Sequence, residues 1–268
     1  MVANDQCCVR AVAMLAPNLA QTLIALDFDG TIAPIVTDPA RARPARGAAE
    51  VLRTLVGNGA RVAIISGRDA STVVGLSGPG DLPGLIVEGL YGAEQWRAGQ
   101  LTTLATPAAV ERLRSAIGAV IASSPQSSGM WIEDKRLSLV VHARRATDPR
   151  AALAAVDGAI RSLAGAQGFE VHTGRDVLEL RLPGFDKGSA LRRVAAAAGR
   201  THLLFAGDDI GDVPAFEALA DLRSAGLRAW GIVVASTEVP DLVAHGDFAV
   251  DGPAGLVQLL VQIAGNAR

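Results

Sequence analysis

Short runs of apolar residues alternate with amphipathic stretches along the first third of the chain. The apolar runs lack the polar alternation of a half-exposed strand, which is typical of strands buried on both faces of a parallel sheet. The amphipathic stretches have helical spacing, and Pro17 and Gly59 mark where two of them end. The pattern predicts strands at residues 23–26, 61–65 and 86–88, and helices at 5–15 and 45–58. Such alternation indicates a doubly wound α/β fold with a mainly parallel sheet.

The alternation of single strands with helices is replaced by a different order of elements between residues 101 and 184, and it resumes after residue 184. Within this segment a helix and two strands are followed by a second helix and two more strands, which is typical of an α+β unit with an antiparallel sheet. The predicted helices are 107–122 and 148–164, and the predicted strands are 130–134, 137–143, 169–172 and 177–182. After Pro183-Gly184, predicted helices at 187–198, 213–220 and 255–263 alternate with strands at 202–206, 229–234 and 248–250. We therefore expect a Rossmann-like core from residues 1–100 and 185–268, with an inserted α+β domain at 101–184.

Composition excludes several classes of protein. Half of the residues are hydrophobic, and 25 Lys and Arg against 27 Asp and Glu give a net charge of -2. A chain so close to neutral, with 4% aromatic residues, lacks the basic surface and stacking side chains of a nucleic-acid-binding protein. Its longest apolar stretches, such as 229–235, are far shorter than the roughly 20 residues that cross a bilayer. We therefore expect a protein that binds neither nucleic acid nor membrane.

The cysteines and the first residues bear on the compartment. Cys7 and Cys8 are adjacent, and neighbouring cysteines rarely meet disulfide geometry. The first ten residues lack the basic segment, apolar segment and cleavage site of a signal peptide. Both features lead us to expect a cytoplasmic protein. A monomer is favoured, although the sequence leaves the oligomeric state open.

Two clusters of aspartates directly follow predicted strands. Asp27 and Asp29 follow the strand at 23–26, and the segment Gly207-Asp208-Asp209-Ile210-Gly211-Asp212 follows the strand at 202–206. In open α/β sheets, ligands bind beyond the carboxyl ends of the strands. Carboxylates brought together there repel one another unless a cation lies between them, and oxygen-only ligands suit Mg²⁺. Alternatively, the acids of the second cluster could be ordinary first-turn residues of a helix.

Two further segments add phosphate-binding groups. Ser66-Gly67-Arg68 follows the strand at 61–65 and offers a hydroxyl and backbone N–H groups at a helix start. Lys187 begins a predicted helix, where a cation is unfavourable unless an anion lies nearby. Together the four segments supply a nucleophilic carboxylate, a second carboxylate, a site for a divalent cation, a hydroxyl and an ammonium. Phosphoryl transfer to a carboxylate requires such a set.

The haloacid dehalogenase-like (HAD) phosphatases have four motifs that these segments resemble, in the usual order along the chain: Asp27-Phe28-Asp29-Gly30-Thr31, Ser66-Gly67-Arg68, Lys187 and Gly207-Asp208-Asp209. In the expected inserted domain, Glu133-Asp134-Lys135, His142-Ala143-Arg144 and residues 174–181 resemble the cap of trehalose-6-phosphate phosphatases. The resemblance runs from about residue 23 to residue 257 and therefore covers nearly the whole chain.

The resemblance implies Mg²⁺-dependent hydrolysis of trehalose 6-phosphate, a small-molecule substrate, through an aspartyl-phosphate. It implies that Asp27 is the nucleophile, that Asp29 is the general acid and base, and that Ser66 and Lys187 bind phosphoryl oxygens. The implied Mg²⁺ ligands are Asp27, the backbone carbonyl of Asp29, and Asp208, supported by Asp209 or Asp212. The implied substrate contacts are Gly67, Arg68, Glu133, Lys135, Arg175 and Glu179.

Two segments depart from the family pattern. The chain has Leu90-Tyr91-Gly92 where the family usually has Asn-His-Gly, and Val213 stands after Asp212 where a second acid is usual. Three alternative functions stay open at this point. They are a phosphatase for another sugar phosphate, a phosphotransferase to a second sugar, and a non-catalytic sugar-phosphate-binding domain.

Overall fold

The chain divides into two compact units. The structure is a computed structural model that describes residues 5–77, 82–103, 107–134, 138–174, 176–235 and 239–267. One unit comprises Met1–Thr103 and Asp186–Arg268, and the other comprises Leu104–Phe185. Within the described ranges, no helix combines the length and the apolar character needed to cross a membrane.

Helices and strands alternate along most of the chain. The helices are α1 (Asp5–Leu15), α2 (Ala48–Gly57), α3 (Ala70–Ser77), α4 (Pro107–Ser123), α5 (Pro149–Ala166), α6 (Lys187–Ala198), α7 (Val213–Ser224) and α8 (Gly252–Gly265). The strands are β1 (Thr22–Leu26), β2 (Arg61–Ile65), β3 (Ile86–Gly89), β4 (Glu94–Arg97), β5 (Gln100–Thr103), β6 (Trp131–Asp134), β7 (Ser138–His142), β8 (Glu170–Gly174), β9 (Val177–Arg181), β10 (His202–Gly207), β11 (Arg228–Ala235) and β12 (Phe248–Asp251).

The larger unit is built on an eight-stranded sheet with the order β12-β11-β10-β1-β2-β3-β4-β5. The strands from β12 to β3 are parallel, and β3, β4 and β5 are joined by antiparallel pairing. Strand β1 lies between β2, which follows it in the sequence, and β10, which comes from the far end of the chain. This reversal of strand order is the place where doubly wound sheets bind ligands.

Both faces of the large sheet are covered, which explains its uninterrupted apolar strands. Ile24 and Leu26 of β1 belong to a core cluster that includes residues of α1, α2 and α8. Leu23 and Ala25 point to the opposite face, where they share a second cluster with residues of α6 and α7. Because successive strand residues face opposite sides, a strand with helices on both sides needs apolar residues at every position.

The smaller unit is an antiparallel sheet with the order β6-β7-β9-β8, covered on one face by α4 and α5. Leu139, Val141, Leu178 and Leu180 point into the core between the sheet and these helices. The residues between them, such as Val140 and Glu179, form the opposite face, on which Glu133 of β6 also lies. In β9, the buried Leu178 and Leu180 alternate with Glu179 and Arg181, as one-sided burial predicts, whereas Val140 of β7 is buried on the opposite face.

The structure confirms the predicted fold class, a largely parallel α/β sheet together with a separate antiparallel sheet. The sequence indicated a helix start at Ser66-Gly67-Arg68 without giving its bounds, and α3 begins at Ala70. The sequence pattern missed the hairpin of β4 and β5. Strand β5 is exposed at all four positions, so hydrophobic alternation gives little signal there. This strand also places Thr103 in the large sheet, and the observed division follows Thr103 instead of preceding residue 101.

Candidate active site

Three loops with polar side chains meet where the strand order reverses. Asp27 follows β1, Asp208 follows β10, and Ser66 follows β2. The register aligns Leu26 of β1 with Ala206 of β10 and with Ile64 of β2. The carboxyl ends of the three strands therefore lie at the same level, and their loops leave the sheet side by side.

The turn after β1 is tight and makes a close approach to Asp208. The N–H groups of Ile32 and Ala33 donate to the Phe28 carbonyl oxygen at 3.1 and 2.9 Å. Gly30 has a φ of +80°, and a Cβ placed on it would lie 1.9 Å from Asp208 Oδ2. Only glycine fits this position, because a side chain would be strained and would collide with the acid. Thr31, which is buried, donates its hydroxyl to Asp208 Oδ1 at 2.8 Å.

Asp212 is the most completely enclosed acid of the site. It ends a short 3₁₀ turn, Ile210–Asp212, and its relative exposure is 0%. Its Oδ2 accepts hydrogen bonds from the backbone N–H groups of Asp208 at 2.9 Å and Asp209 at 3.1 Å. Its Oδ1 accepts a hydrogen bond from Lys187 Nζ at 2.7 Å. Asp212 therefore links the loop after β10 to helix α6.

Lys187 is buried at the first position of α6. Asp186 caps this helix by accepting from the Ser189 N–H at 2.7 Å. The Lys187 ammonium donates to Asp27 Oδ1 at 2.8 Å as well as to Asp212. Burial on its own would lower the pKa of Lys187, but the charges of Asp27 and Asp212 hold that pKa well above its ordinary value. A cation in this unfavourable position on a helix is thus explained by the acids that surround it.

Asp27, Asp208 and Asp212 form a buried cluster, hereafter the acidic cluster. Each offers a carboxylate oxygen, and these oxygens all lie within 4.8 Å of one another. Burial raises the pKa of Asp27 to about 7, that of Asp208 to about 6 and that of Asp212 to about 8. One ammonium cannot neutralise three carboxylates, so the fully ionised cluster retains two negative charges. An all-oxygen donor set with uncompensated charge fits a hard divalent cation such as Mg²⁺.

Asp209 lies apart from the three residues of the acidic cluster. Its side chain is 56% exposed, and its Oδ1 lies 3.7 Å from Lys187 Nζ. Asp212, rather than Asp209, is therefore the third member of the acidic cluster. The sequence offered a signal for this arrangement, since Asp212 was also named as a supporting acid.

The Asp29 side chain is engaged by Arg68. The guanidinium donates from Nε to Asp29 Oδ2 at 2.5 Å and from Nη2 to Asp29 Oδ1 at 2.7 Å, and Nη1 donates to the Pro39 carbonyl oxygen at 2.8 Å. The paired N–H groups of arginine match the two oxygens of a carboxylate, so this contact also orients Asp29. The Asp29 side chain is 38% exposed and remains open to solvent beside the acidic cluster.

Ser66 is fixed by backbone contacts on both sides. Its N–H donates to the Glu88 carbonyl oxygen at 2.9 Å, and its Oγ accepts from the Arg68 N–H at 3.1 Å. Gly67 lies between them, and we call Ser66–Gly67–Arg68 the phosphate loop. The structure thus brings the phosphate loop, Asp29 and the acidic cluster into one compact unit.

The proposed sugar contacts belong to the smaller unit. Glu133 pairs across the sheet with Val140, and Val140 pairs with Glu179, so both acids lie on the face opposite the helices. Glu133 Oε2 lies 2.8 Å from His142 Nε2, and Glu179 Oε2 accepts from Arg181 Nη2 at 2.6 Å. Lys135 and Arg175, which the sequence also named, lie outside the described residues.

Sequence reasoning missed a second buried network beside the phosphate loop. Glu88 has 0% relative exposure, accepts from Gln95 Nε2 at 2.6 Å and lies 3.5 Å from Arg193 Nη2. Burial raises the pKa of Glu88. Glu88 and Arg193 are 105 residues apart in the sequence, so no local pattern could have indicated this contact.

Comparisons with known proteins point to one family. The profile of the family described as trehalose-phosphatase matches residues 25–254. A Mycobacterium leprae protein named trehalose-phosphate phosphatase is 32% identical over 263 residues, which cover 91% of this chain and 58% of that protein. A Mycobacterium tuberculosis protein described as an uncharacterized glycosyl hydrolase is 34% identical over 252 residues, covering 89% of this chain and 18% of that protein. The chain thus spans only part of the length of these relatives.

A solved structure shares the fold over almost the full chain. Trehalose-6-phosphate phosphatase from Aspergillus fumigatus superposes with a TM-score of 0.78 at 22% identity, covering 98% of both chains. At this level of identity, the likeness concerns the fold, which is the HAD fold expected from the sequence. The family match covers most of the chain, including Asp27, Ser66, Lys187 and Asp208. The chain belongs to the trehalose-phosphatase family.

Proposed function

We propose that this protein is a Mg²⁺-dependent phosphatase that hydrolyses trehalose 6-phosphate to trehalose and inorganic phosphate. One observation carries the proposal: Lys187 Nζ lies 2.8 Å from Asp27 Oδ1 within the buried acidic cluster, at the ligand-binding edge of the sheet. Family membership and the name of the Mycobacterium leprae relative support the choice of substrate.

Asp27 is the proposed nucleophile. One carboxylate oxygen attacks the phosphorus atom, an Asp27–phosphorus bond forms, and the bond from phosphorus to the 6-oxygen of the sugar breaks. Water then attacks phosphorus, the aspartyl-phosphate bond breaks, and the Asp27 carboxylate is restored. Lys187 holds Asp27 in position and, with the Ser66 hydroxyl and the N–H groups of the phosphate loop, stabilises negative charge on the phosphoryl oxygens.

Asp29 is the proposed general acid and base. It gives a proton to the departing sugar oxygen in the first step and takes a proton from the attacking water in the second. Its partial exposure supports this role, since the carboxyl group must reach both sugar and water. Arg68 orients Asp29 through two hydrogen bonds and is also a proposed substrate contact.

The residues of the acidic cluster would hold Mg²⁺, together with the backbone carbonyl of Asp29 and with Asp209 close by. The uncompensated charge of three buried carboxylates supports this assignment. When bound, the cation neutralises charge on the carboxylates and on the phosphoryl group.

The proposed sugar contacts are Glu133, Lys135, Arg175 and Glu179. Carboxylates form charge-assisted hydrogen bonds with hydroxyl groups, and a disaccharide offers many hydroxyls and little apolar area. The placement of Glu133 and Glu179 on the same face of one sheet supports joint action. The cytoplasmic location and the monomeric state stay predictions from the sequence.

The test is phosphate release from a panel of phosphate esters, with Mg²⁺ and with a chelator. The panel contains trehalose 6-phosphate, glucose 6-phosphate, sucrose 6-phosphate and an aryl phosphate. We expect a strong preference for trehalose 6-phosphate, lost with chelator and in Asp27→Asn, whose circular dichroism spectrum should match the wild type. Arg192→Met, an exposed substitution on α6, is the control and should retain full activity.

Other outcomes identify the alternatives. Activity on all esters without preference would retain the chemistry and reject the substrate. Reduced free phosphate on adding a second sugar would indicate a phosphotransferase. Binding of sugar phosphates without turnover would indicate a non-catalytic domain, and wild-type activity in Asp27→Asn would refute the mechanism.

A further inference from the structure

The turn Leu90–Gly92 holds the phosphate loop through two backbone hydrogen bonds. The Tyr91 N–H donates to the Ser66 carbonyl oxygen at 2.9 Å, and the Leu90 N–H donates to the Arg68 carbonyl oxygen at 2.8 Å. The turn and the phosphate loop therefore run side by side. Any side chain on the exposed side of this turn lies at the rim of the phosphate site.

The backbone of this turn is strained at two consecutive residues. Leu90 has a φ of 49° and Tyr91 a φ of 57°, in the left-handed region that residues with a Cβ rarely adopt. Such conformations persist where the surroundings enforce them, and they are concentrated at functional sites.

Arg193, Glu88 and Gln95 form the network that holds the turn in this conformation. Arg193 reaches from α6 and donates to the Gly92 carbonyl oxygen at 2.7 Å, while its Nη2 also lies 3.5 Å from the buried Glu88. Gln95 donates to the same Glu88 carboxylate. A buried polar network therefore anchors the strained turn on one side, and the Tyr91 side chain lies on the other.

The Tyr91 phenol covers the phosphate loop. A Cβ placed on Gly67 would lie 2.8 Å from the phenol oxygen and 2.9 Å from Cζ, so the ring packs directly on Gly67. The side chains of the two neighbours of Gly67 belong to the proposed active site, since Ser66 is a proposed phosphoryl contact and Arg68 donates two hydrogen bonds to Asp29. Tyr91 nevertheless remains 42% exposed, so part of the ring is accessible from solvent.

We propose that Tyr91 is a specificity-determining residue that contacts the sugar part of the substrate. This inference rests on the proposed function, because the sugar of a phosphate ester held by the phosphate loop lies next to the groups that border that loop, and the Tyr91 ring packs on it. A phenol has an apolar face for the C–H groups of a pyranose ring and a hydroxyl that exchanges hydrogen bonds with its O–H groups. The anchored turn fixes the ring in place before substrate arrives, which limits the entropy lost on binding.

The experiment compares Tyr91→Ala and Tyr91→Phe with the wild type. We expect Tyr91→Ala to raise KM for trehalose 6-phosphate roughly tenfold or more, with kcat changed less than about twofold. Tyr91→Phe retains the ring and should show a smaller increase in KM. The inhibition constant of inorganic phosphate, a competitive inhibitor without a sugar, should stay within about twofold of wild type in both variants. Val261→Ala, an exposed apolar truncation on α8, is the matched control and should change none of these values.

A double-mutant cycle adds an independent test. Gly67→Ala introduces a Cβ that must displace the phenol, so it should also raise KM for the sugar phosphate. In the Tyr91→Ala background that Cβ has room, and Gly67→Ala should then add little. Additive effects of the two substitutions would contradict the contact between ring and loop on which the proposal depends.

The outcomes separate this inference from the proposed function. An unchanged KM in Tyr91→Ala would overturn it, and so would a parallel increase in KM and in the phosphate inhibition constant, because Tyr91 would then only support the loop. If the wild type prefers another sugar phosphate, the proposed substrate is wrong, and the same comparison with the preferred ester decides the role of Tyr91. If the wild type hydrolyses nothing, the proposed activity fails, and an unchanged dissociation constant of trehalose 6-phosphate in Tyr91→Ala would overturn this inference separately.

Discussion

Replacing Lys187 by methionine removes an ammonium that contacts the acidic cluster while keeping a long apolar stem. Lys187 is 4% exposed and donates to Asp27 at 2.8 Å and to Asp212 at 2.7 Å. Removing one partner of a buried ion pair costs about 3–5 kcal/mol, because the other partner keeps a buried, uncompensated charge. We expect Lys187→Met to lower the free energy of unfolding by about that amount at pH 8 without Mg²⁺.

The pH dependence of this loss has a defined sign. The acids of the cluster have folded-state pKa values of about 6, 7 and 8, all raised by burial from 3.8. An acid whose pKa is raised on folding contributes stability at low pH that is lost as the pH rises through the folded value. At pH 5 the cluster binds protons and needs less counter-charge, so the difference between Lys187→Met and wild type should shrink.

The assay is urea unfolding at pH 8 and pH 5, with and without Mg²⁺. Arg192→Met is the matched control on the same helix, since Arg192 forms an exposed ion pair with Asp221 that is worth at most about 1 kcal/mol. Mg²⁺ should restore part of the stability of Lys187→Met by supplying positive charge to the same carboxylates. A loss below about 1 kcal/mol at pH 8, or one that is equal at both pH values, would refute the electrostatic reasoning.

Three further predictions concern the turn after β1, the binding of Mg²⁺ and the smaller unit. Gly30→Ala should destabilise the protein by about 1–3 kcal/mol in thermal unfolding and abolish Mg²⁺ binding, because its Cβ would meet Asp208 at 1.9 Å and its φ is +80°. The control is Gly158→Ala, in open space within α5, which should stabilise the protein by up to about 1 kcal/mol in the same assay. Mg²⁺ should raise Tm more at pH 8 than at pH 5, since protons compete for the acidic cluster, and equal shifts would argue against binding there. Glu179→Ala should raise KM for trehalose 6-phosphate far more than KM for an aryl phosphate. The control Asp157→Ala, on helix α5, should change neither KM value. Equal effects of Glu179→Ala on both substrates would show that Glu179 does not belong to the sugar site.

Much of the fold followed from local patterns. The apolar run of β1 predicted a strand covered on both faces, and its side chains do enter two separate clusters. Helix α6 begins at the predicted residue, where Asp186 supplies the cap. The pattern failed where local signals were weak, as in the exposed strand β5. Polar edge strands gain their structure from pairing with a neighbour, which hydrophobic spacing does not record.

The amino-acid sequence alone was enough to indicate that Asp27, Ser66 and Asp208 follow parallel strands and therefore meet at one edge of a sheet. The direction of each side chain at that edge depended on contacts between residues far apart in the sequence. Asp212 turns into the cluster because Lys187 and two backbone N–H groups hold its oxygens, and Asp29 turns to Arg68. Tyr91 lies on Gly67 because a strained turn is anchored by Arg193 from another helix. Local propensity determines where strands and turns occur, whereas the position of a carboxylate to within an ångström results from packing and charge across the assembled fold.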